Sequence, residues 1–459
     1  MHHEVTRVIS WTKRQGKFGG FIINPYFCTD KKCDKTQFLS IDMIIERNTY
    51  LKKLIAKRHN GKIKIITGIR RCGKSFLLST IYANWLREQG VDEEHIININ
   101  LEDRRNKPLR DPDSLLAYID SKLTDDKMHY IMIDEIQLVP EFEDVLNSYL
   151  NMNNADVYVT GSNARFLSKQ VRTEFAGRGE EIKLHPLTFR EYLTTTHSNQ
   201  ADAFRDYMIY GGLPQVVEKE THEEKVEMLQ ALFENTYISD IIERYKIRNT
   251  EVLDELLNIL ASSIGGLTNA TKLANTFCSV RHENVSRNTI VNYLEYICDS
   301  FLMEKASRYD IKGKRYIDSP YKYYFTDCGL RNMRLNFRQV EYTHLLENVI
   351  FNELIARGFS VDVGVVPKQM RDVNGERARQ YLEVDFVCNK GSRRYYIQSA
   401  YRMNDEEKVK QEEASLINID DSFKKIIILG EYTPVLHTES GITIIGIYDF
   451  LLKENSLEL

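Results

Sequence analysis

The first half of the chain predicts an α/β fold built on a parallel sheet, and three observations carry that prediction. From Lys62 onward, short runs rich in β-branched residues alternate with helical segments, the pattern of strands covered on both faces by crossover helices. A glycine-rich loop sits directly between the first of these strands and the helix after it. Beyond Pro186 the alternation ends and the chain turns mainly helical.

Composition limits what such a fold can do. At about 150 residues per domain, a chain of 459 residues has room for roughly three domains. The 62 lysines and arginines against 66 aspartates and glutamates leave a formal charge of -4, without the global positive field of a nucleic-acid coat protein. Any DNA contact must therefore be local. Nine prolines exclude proline-rich linkers. No apolar run approaches the roughly 18 residues of a membrane span, and the first residues lack a signal-peptide core, so a cytoplasmic location without membrane contact is expected. The seven cysteines are odd in number and scattered, unlike a disulfide framework. Cys28 and Cys33 with His2 and His3 make a weak metal set, since a structural zinc site needs four well-spaced ligands.

The elements follow in order. Residues 1–42 show little periodicity and read as an N-terminal extension, or as a mis-called start with Met43 as the natural beginning. A helix precedes the strand KIKIIT; a helix from Lys74 to about Glu88, the strand HIININL and a helix near Ser114 to Leu123 come next. YIMID, a helix near Phe142 to Leu150, DVYVT, a short helix and EIKLHPL complete five strand and helix units. Helical LTFREYL, YGGLPQVV and a long run from about Glu223 to Arg248 follow. Three amphipathic stretches, VLDELLNILASSI, NATKLANTF and SRNTIVNYLEYICDSFL, then lead into a strand pair around SRYDIKG and YKYYFTD, and three helices with a hairpin spell a winged helix. The last block opens with a helix whose Leu345, Leu346, Val349, Ile350 and Leu354 share one face, followed by strands EVDFVC, RYYIQSA and KKIIILG.

Residues Gly68, Ile69, Arg70, Arg71, Cys72, Gly73, Lys74 and Ser75 form a complete GxxxxGK[ST] (Walker A) loop between strand and helix, the mark of a P-loop NTPase. Its backbone N–H groups, the helix N-terminus and the Lys74 charge suit polyphosphate, Ser75 suits magnesium, and Phe76 adjoins them. A glycine-rich turn without ligand is the competing reading, and the strand-loop-helix setting weighs against it. The buried strand Tyr130–Ile133 ends in Asp134 and Glu135. Asp134 is placed to hold the metal and Glu135 to polarise a water for attack on the γ-phosphoryl; the alternative for such a carboxylate is a helix N-cap. The next strand ends in Gly161-Ser162-Asn163, where Asn163 is a candidate γ-phosphate sensor, although Gly-Ser-Asn is also ordinary turn chemistry.

From about Met43 onward the chain resembles the prokaryotic AAA+ type ATPases that carry a C-terminal domain of unknown function. GIRRCGKS and IDEIQ are general to NTPases; TGSN, AGRGEEIKLHPLTFREYL, YGGLPQVV, TYISDIIERYKIRN and NTIVNYLEYICDSFLMEK are more family-like. The resemblance implies strand order 5-1-4-3-2, a helical lid, ATP as the nucleotide and a sensor role for Asn163. It also implies an arginine finger or sensor at Arg178, acting in cis or from a neighbouring subunit. Arg165, Arg172 and Arg244 compete with Arg178, whose alternative is a surface salt bridge. The last block resembles the restriction-endonuclease-like fold, with Glu347 on its helix, Asp385 in EVDFV, and Gln398 and Ala400 where active members carry an acid and a lysine. Period-2 geometry places those two positions beside Asp385, and Glu383 is a candidate substitute ligand. An inactive or rewired nuclease-like fold is expected. The expected divisions are an extension at 1–42, an AAA+ type ATPase core at 43–200, a lid at 201–250, a winged helix at 251–338 and a nuclease-like domain at 339–459.

In the winged helix, Ser286 is expected to cap the recognition helix, with Arg287, Asn288 and Asn292 facing a DNA groove and Ile290, Leu294, Ile297 and Phe301 in the core. The hairpin offers Arg308, Lys312, Lys314, Arg315 and Lys322 to phosphates. Together these readings give a hydrolase that binds ATP with Mg and couples ATP hydrolysis to the C-terminal modules. An ATP-regulated DNA-binding protein or nuclease, for example in defence against mobile DNA, is the alternative. A small-molecule kinase is disfavoured because the Asp-Glu pair suits water activation. The expected partners are ATP, DNA through the winged helix and a further protein, with self-association compatible with an arginine finger.

Overall fold

The computed structural model describes residues 45–162, 175, 177–281, 285–371, 377–403 and 406–459. The expected extension, with His2, His3, Cys28 and Cys33, lies outside these residues, as does the short helix expected after DVYVT. Residues 45–459 form one unit.

Strands β1 (Ile63–Thr67), β2 (Ile96–Asn100), β3 (His129–Asp134), β4 (Ala155–Gly161) and β5 (Gly179–Lys183) form a sheet in the order β2-β3-β4-β1-β5. Every pairing is parallel, and the order is the one the resemblance implies. Alternation along the strands divides the core into two layers. Ile66, Met132 and Tyr158 pack with the helices Asn48–Lys57 and Ala83–Glu88. Ile65, Ile131, Ile133 and Val159 pack with Pro112–Asp120 and Phe142–Tyr149. Helix Pro112–Asp120 starts two residues earlier than the periodicity indicates because Asp111 accepts the Ser114 N–H at 3.0 Å and Pro112 takes the first turn.

Beyond the first sheet come helices Phe189–Leu193, Gln200–Tyr210, His222–Leu232 and Ser239–Tyr245, then Thr250–Ser262, Ala270–Arg281 and Arg287–Asp299. The hairpin β6 (Met303–Asp310) and β7 (Arg315–Phe325) follows, as the sequence indicates. It does not stand free. β6 pairs in parallel with β8 (Ser360–Arg371), and the hairpin becomes one end of an eight-stranded sheet completed by β9 (Arg377–Lys390), β10 (Arg393–Ala400), β11 (Lys424–Leu429), β12 (Leu436–His437) and β13 (Ile442–Gly446). The sheet therefore crosses the boundary expected between 338 and 339.

The Tyr210-Gly-Gly-Leu-Pro segment is explained by a latch. The buried Asp327 carboxylate accepts the Gly212 N–H at 2.7 Å and the Gly329 N–H at 2.9 Å. Gly211 has φ +77°, and a Cβ there would run into the same carboxylate. Asn332, on helix Cys328–Arg334, adds bonds of 2.9 Å to the Met208 and Ile209 carbonyls.

Candidate active site

The phosphate loop leaves β1 at Thr67 through a backbone with φ +142° at Gly68, +65° at Arg71 and +98° at Gly73. Gly68 is obligatory, since a Cβ would strike the Leu184 carbonyl oxygen. The side chains of Ile69 and Cys72 are buried and anchor the loop, leaving only their backbone to face a ligand. A buttress that sequence reasoning missed lies behind it. Arg47, 3% exposed, donates to Cys72 O at 3.2 Å and His185 O at 2.6 Å and pairs with Glu191 at 3.0 Å. Lys74 Nζ donates to the Gly68 and Ile69 carbonyls at 3.1 and 3.2 Å. Phe76 is exposed.

Asp134 ends β3 with its carboxylate buried, accepting the Thr160 hydroxyl and a hydrogen bond from Ser75. Burial pushes this carboxyl above its ordinary range, and the two hydroxyl bonds oppose the shift. Glu135 adopts a left-handed backbone (φ +56°) and donates its N–H to Thr160 Oγ1 at 3.0 Å. Its carboxylate accepts Ser162 Oγ–H at 2.9 Å and the Gln137 amide. Although Glu135 precedes a single 3₁₀ turn, its side chain makes no capping bond, so the N-cap alternative does not account for it. Ser162 and Gln137 lay in plain view in the sequence, but no motif spacing marks them as partners of Glu135. A cleft of about 320 Å³ opens beside this pair, lined by Ser75 and Asp134 with Asn98 and Asn100 of β2.

These residues fit a magnesium nucleotide. Lys74 has no acidic partner among the described residues, the loop is open at Gly73 where a Cβ would meet nothing within 4 Å, and Ser75 and Asp134 bring two hard oxygen donors together.

The arginines separate. Asn163, Arg165 and Arg172 lie outside the described residues. Arg178 is exposed, its carbonyl accepts the Ile63 N–H at 2.9 Å, and Gly179 pairs with Ile63, the first residue of β1. Four strand steps, about 13 Å at 3.3 Å each, separate that position from the phosphate loop. The cis reading of Arg178 is therefore corrected: it sits at the opposite edge of the sheet. Arg244 pairs with Asp240 on its own helix. Arg70 instead lies within the site, with Nε 3.4 Å from Ser162 Oγ and its guanidinium 3.6 Å from both Glu102 and Asp240.

A second cluster forms where the hairpin meets the C-terminal strands. Lys322, expected to meet phosphates, is corrected: it is 3% exposed and pairs with Glu347 at 2.9 Å and Glu383 at 2.7 Å. Tyr324 donates to Glu347 at 2.7 Å. Asp385 is pushed up to about 7, chiefly by burial and then by Glu347, with Lys322 opposing. Its carboxylate accepts both the N–H and the Oγ–H of Ser399 at 2.8 Å. The period-2 placement of Gln398 and Ala400 fails here for a local reason. Asp362 pairs with Val387 and Gly364 with Val384, so β9 carries one extra residue and bulges at Asp385. Ala400 is buried in core, and Gln398 contacts the Asp385 N–H and Ser415 Oγ, each at 3.4 Å. The ammonium of this cluster thus arrives from β7, the far strand of the sheet.

Ser286 caps helix Arg287–Asp299 through the Thr289 N–H at 3.1 Å, and Arg287, Asn288 and Asn292 are exposed while Ile290, Leu294, Ile297 and Phe301 are buried. On the hairpin, Lys314 and Arg315 are exposed, Arg308 is half-buried and Lys312 pairs with Asp420 at 3.0 Å. Among the described residues no helix is long and apolar enough to cross a membrane, and their five cysteines are free.

The chain is similar to several known proteins. A family described as an AAA domain matches residues 60–193, and a domain of unknown function matches residues 201–341. An uncharacterized protein of Haemophilus influenzae is 34% identical over 419 residues, covering 89% of this chain and 99% of that protein. One from Methanocaldococcus jannaschii is 28% identical, over 76% of this chain and 77% of that one. The solved Walker-type ATPase of Pyrococcus abyssi, 14% identical, aligns with 64% of this chain and 96% of its own at a TM-score of 0.46. With a complete phosphate loop on an AAA domain and a relative matched over nearly its whole length, the chain belongs to the family of AAA-domain proteins that the Haemophilus influenzae protein represents.

Proposed function

We propose that the chain is an ATP-dependent switch that hydrolyses Mg-ATP slowly and couples the nucleotide state to its C-terminal half. The observation that carries this reading is the convergence of Lys74, Ser75, Asp134 and Glu135 at the carboxyl edge of one parallel sheet. Bound magnesium would neutralise charge between the β- and γ-phosphates. Lys74 exchanges its loop carbonyls for phosphate oxygens, Ser75 and Asp134 hold the ion, and Glu135 orients the attacking water. Asn163 senses the γ-phosphate, and Arg178 acts on the nucleotide of a neighbouring subunit. Arg70, between Ser162 and Asp240 of the lid helix, supports coupling from the site to the lid.

Nucleotide hydrolysis measured without nucleic acid, with DNA and with RNA tests this. Phosphate release that requires Lys74 supports the switch, and stimulation by one class identifies the effector. No hydrolysis in any condition, with ATP bound equally by wild type and Lys74→Ala, overturns it.

An ATP-regulated DNA-binding protein or nuclease is the second reading, favoured by the arrival of Lys322 among Glu347, Glu383 and Asp385. The ammonium already balances carboxylate charge, which supports a nuclease-like fold that holds rather than cuts. Plasmid cleavage with Mg or Mn that Asp385→Ala abolishes would promote the nuclease.

A further inference from the structure

The strand that ends at Asp134 begins at His129, and the polar groups gathered at that beginning serve no part of the nucleotide site. His129 is fully buried, and His95, just before β2, is 4% exposed. Their rings lie 4.7 Å apart, centroid to centroid, and Asp125 in the connecting loop completes a group whose ligand atoms all lie within 4.8 Å of one another. His95 Nε2 is 3.1 Å from each Asp125 oxygen, and His129 Nε2 is 3.9 Å from Asp125 Oδ1.

The tautomer of His129 is fixed by its other nitrogen. Nδ1 lies 2.8 Å from the Lys127 carbonyl, which can only accept, so Nδ1 carries the proton. In the neutral ring Nε2 is then a lone pair. That atom is buried with no hydrogen-bond partner, and it faces a carboxylate oxygen that cannot donate to it when ionised. A buried lone pair with a carboxylate across from it is suited to a cation between them. An imidazole whose Nδ1–H is held by a backbone carbonyl while Nε2 faces inward is the usual posture of a metal-binding histidine.

We propose that His95, Asp125 and His129 bind a divalent transition-metal ion of the zinc class at the amino edge of the first sheet. Two imidazole nitrogens and one carboxylate are the donor set such ions accept. Metal–ligand lengths of about 2.0–2.2 Å place tetrahedral ligand atoms about 3.3–3.6 Å apart, so atoms now up to 4.8 Å apart close by about 1.2–1.5 Å on binding, a movement the exposed Asp125 loop can supply. Binding at His95 Nε2 moves the proton it shares with Asp125 to His95 Nδ1, which faces the Asp92 carboxylate. Asp92, whose carboxylate lies 3.8 Å from His95 Nδ1, is exposed and flanks the site. Five strand steps, about 16 Å, separate His129 from Asp134, so this ion is distinct from the magnesium of the nucleotide. Its role is structural: it ties the 121–128 loop to the starts of β2 and β3.

Calorimetric titration of the untagged, chelator-treated full chain with Zn²⁺ in the absence of nucleotide, alongside thermal unfolding, tests the proposal. One ion per chain tighter than about 10 μM, with a raised melting temperature, is expected. Asp125→Ala, at an exposed position, and His95→Gln should each weaken binding at least tenfold, while Lys74→Ala leaves it unchanged. A low-symmetry four-coordinate Co²⁺ spectrum should appear in wild type and vanish in Asp125→Ala. Absence of Zn²⁺ binding in this range, or binding that neither variant weakens, overturns the proposal.

Discussion

Ser162 Oγ donates to Glu135 Oε2 at 2.9 Å, tying the end of β4 to the residue that follows β3. In the switch reading this bond aims the carboxylate that positions water. Small misplacements of a positioning group cost up to about a hundredfold, and Gln137 remains as a second restraint. Ser162→Ala should therefore lower turnover by about tenfold with nucleotide affinity unchanged, measured as steady-state phosphate release beside fluorescent-nucleotide binding.

Lys322→Met removes the cation from a buried cluster and leaves Glu347 without its charge partner. Breaking such a pair costs about 3–5 kcal/mol. Urea unfolding should show that loss, and Glu347→Gln in the same chain should recover part of it, since the orphaned charge is then gone.

How much of this was legible in the sequence depends on how local the signal is. Gly68 to Ser75 and the pair Asp134 and Glu135 could be placed at one edge of the sheet from sequence because backbone geometry and strand ends impose fixed spacings on them. The parallel order of the first sheet came from resemblance, since periodicity marks strands without saying which ones pair. Lys322 was misplaced because its partners are 25 and 61 residues away, across a parallel pairing of β6 with β8 that no turn announces. One inserted residue in β9 was enough to exchange Ser399 for Gln398 beside Asp385. A bulge leaves almost no trace in a single sequence.

Gly211→Ala should destabilise the latch between the segment after helix Gln200–Tyr210 and helix Cys328–Arg334. The position needs φ +77°, and the added methyl meets Asp327. A loss of at least about 1 kcal/mol is expected for a residue that cannot adopt the native backbone, read as a lowered melting temperature with the Gly212 to Asp327 bond weakened.

Asp327 also sets a pH dependence. Burial raises its carboxyl to about 6 from 3.8, against backbone N–H bonds that lower it. The folded state therefore binds the proton more tightly than the unfolded state, and its contribution to stability is lost as pH rises from about 4 through about 6. Urea midpoints should fall across that window from this group, and Asp327→Asn should flatten the fall. An unchanged slope in the variant would assign the dependence to other carboxyls.

Hydrolysis in the switch reading depends most directly on Glu135. Phosphate release from ATP should be measured for wild type and Glu135→Gln at saturating nucleotide, with ATP binding determined in parallel. The glutamine retains the shape and the Ser162 contact but loses the charge that polarises water, so the variant should bind ATP like wild type and release phosphate at least about a hundredfold more slowly. Equal phosphate release by the two proteins would contradict the assignment.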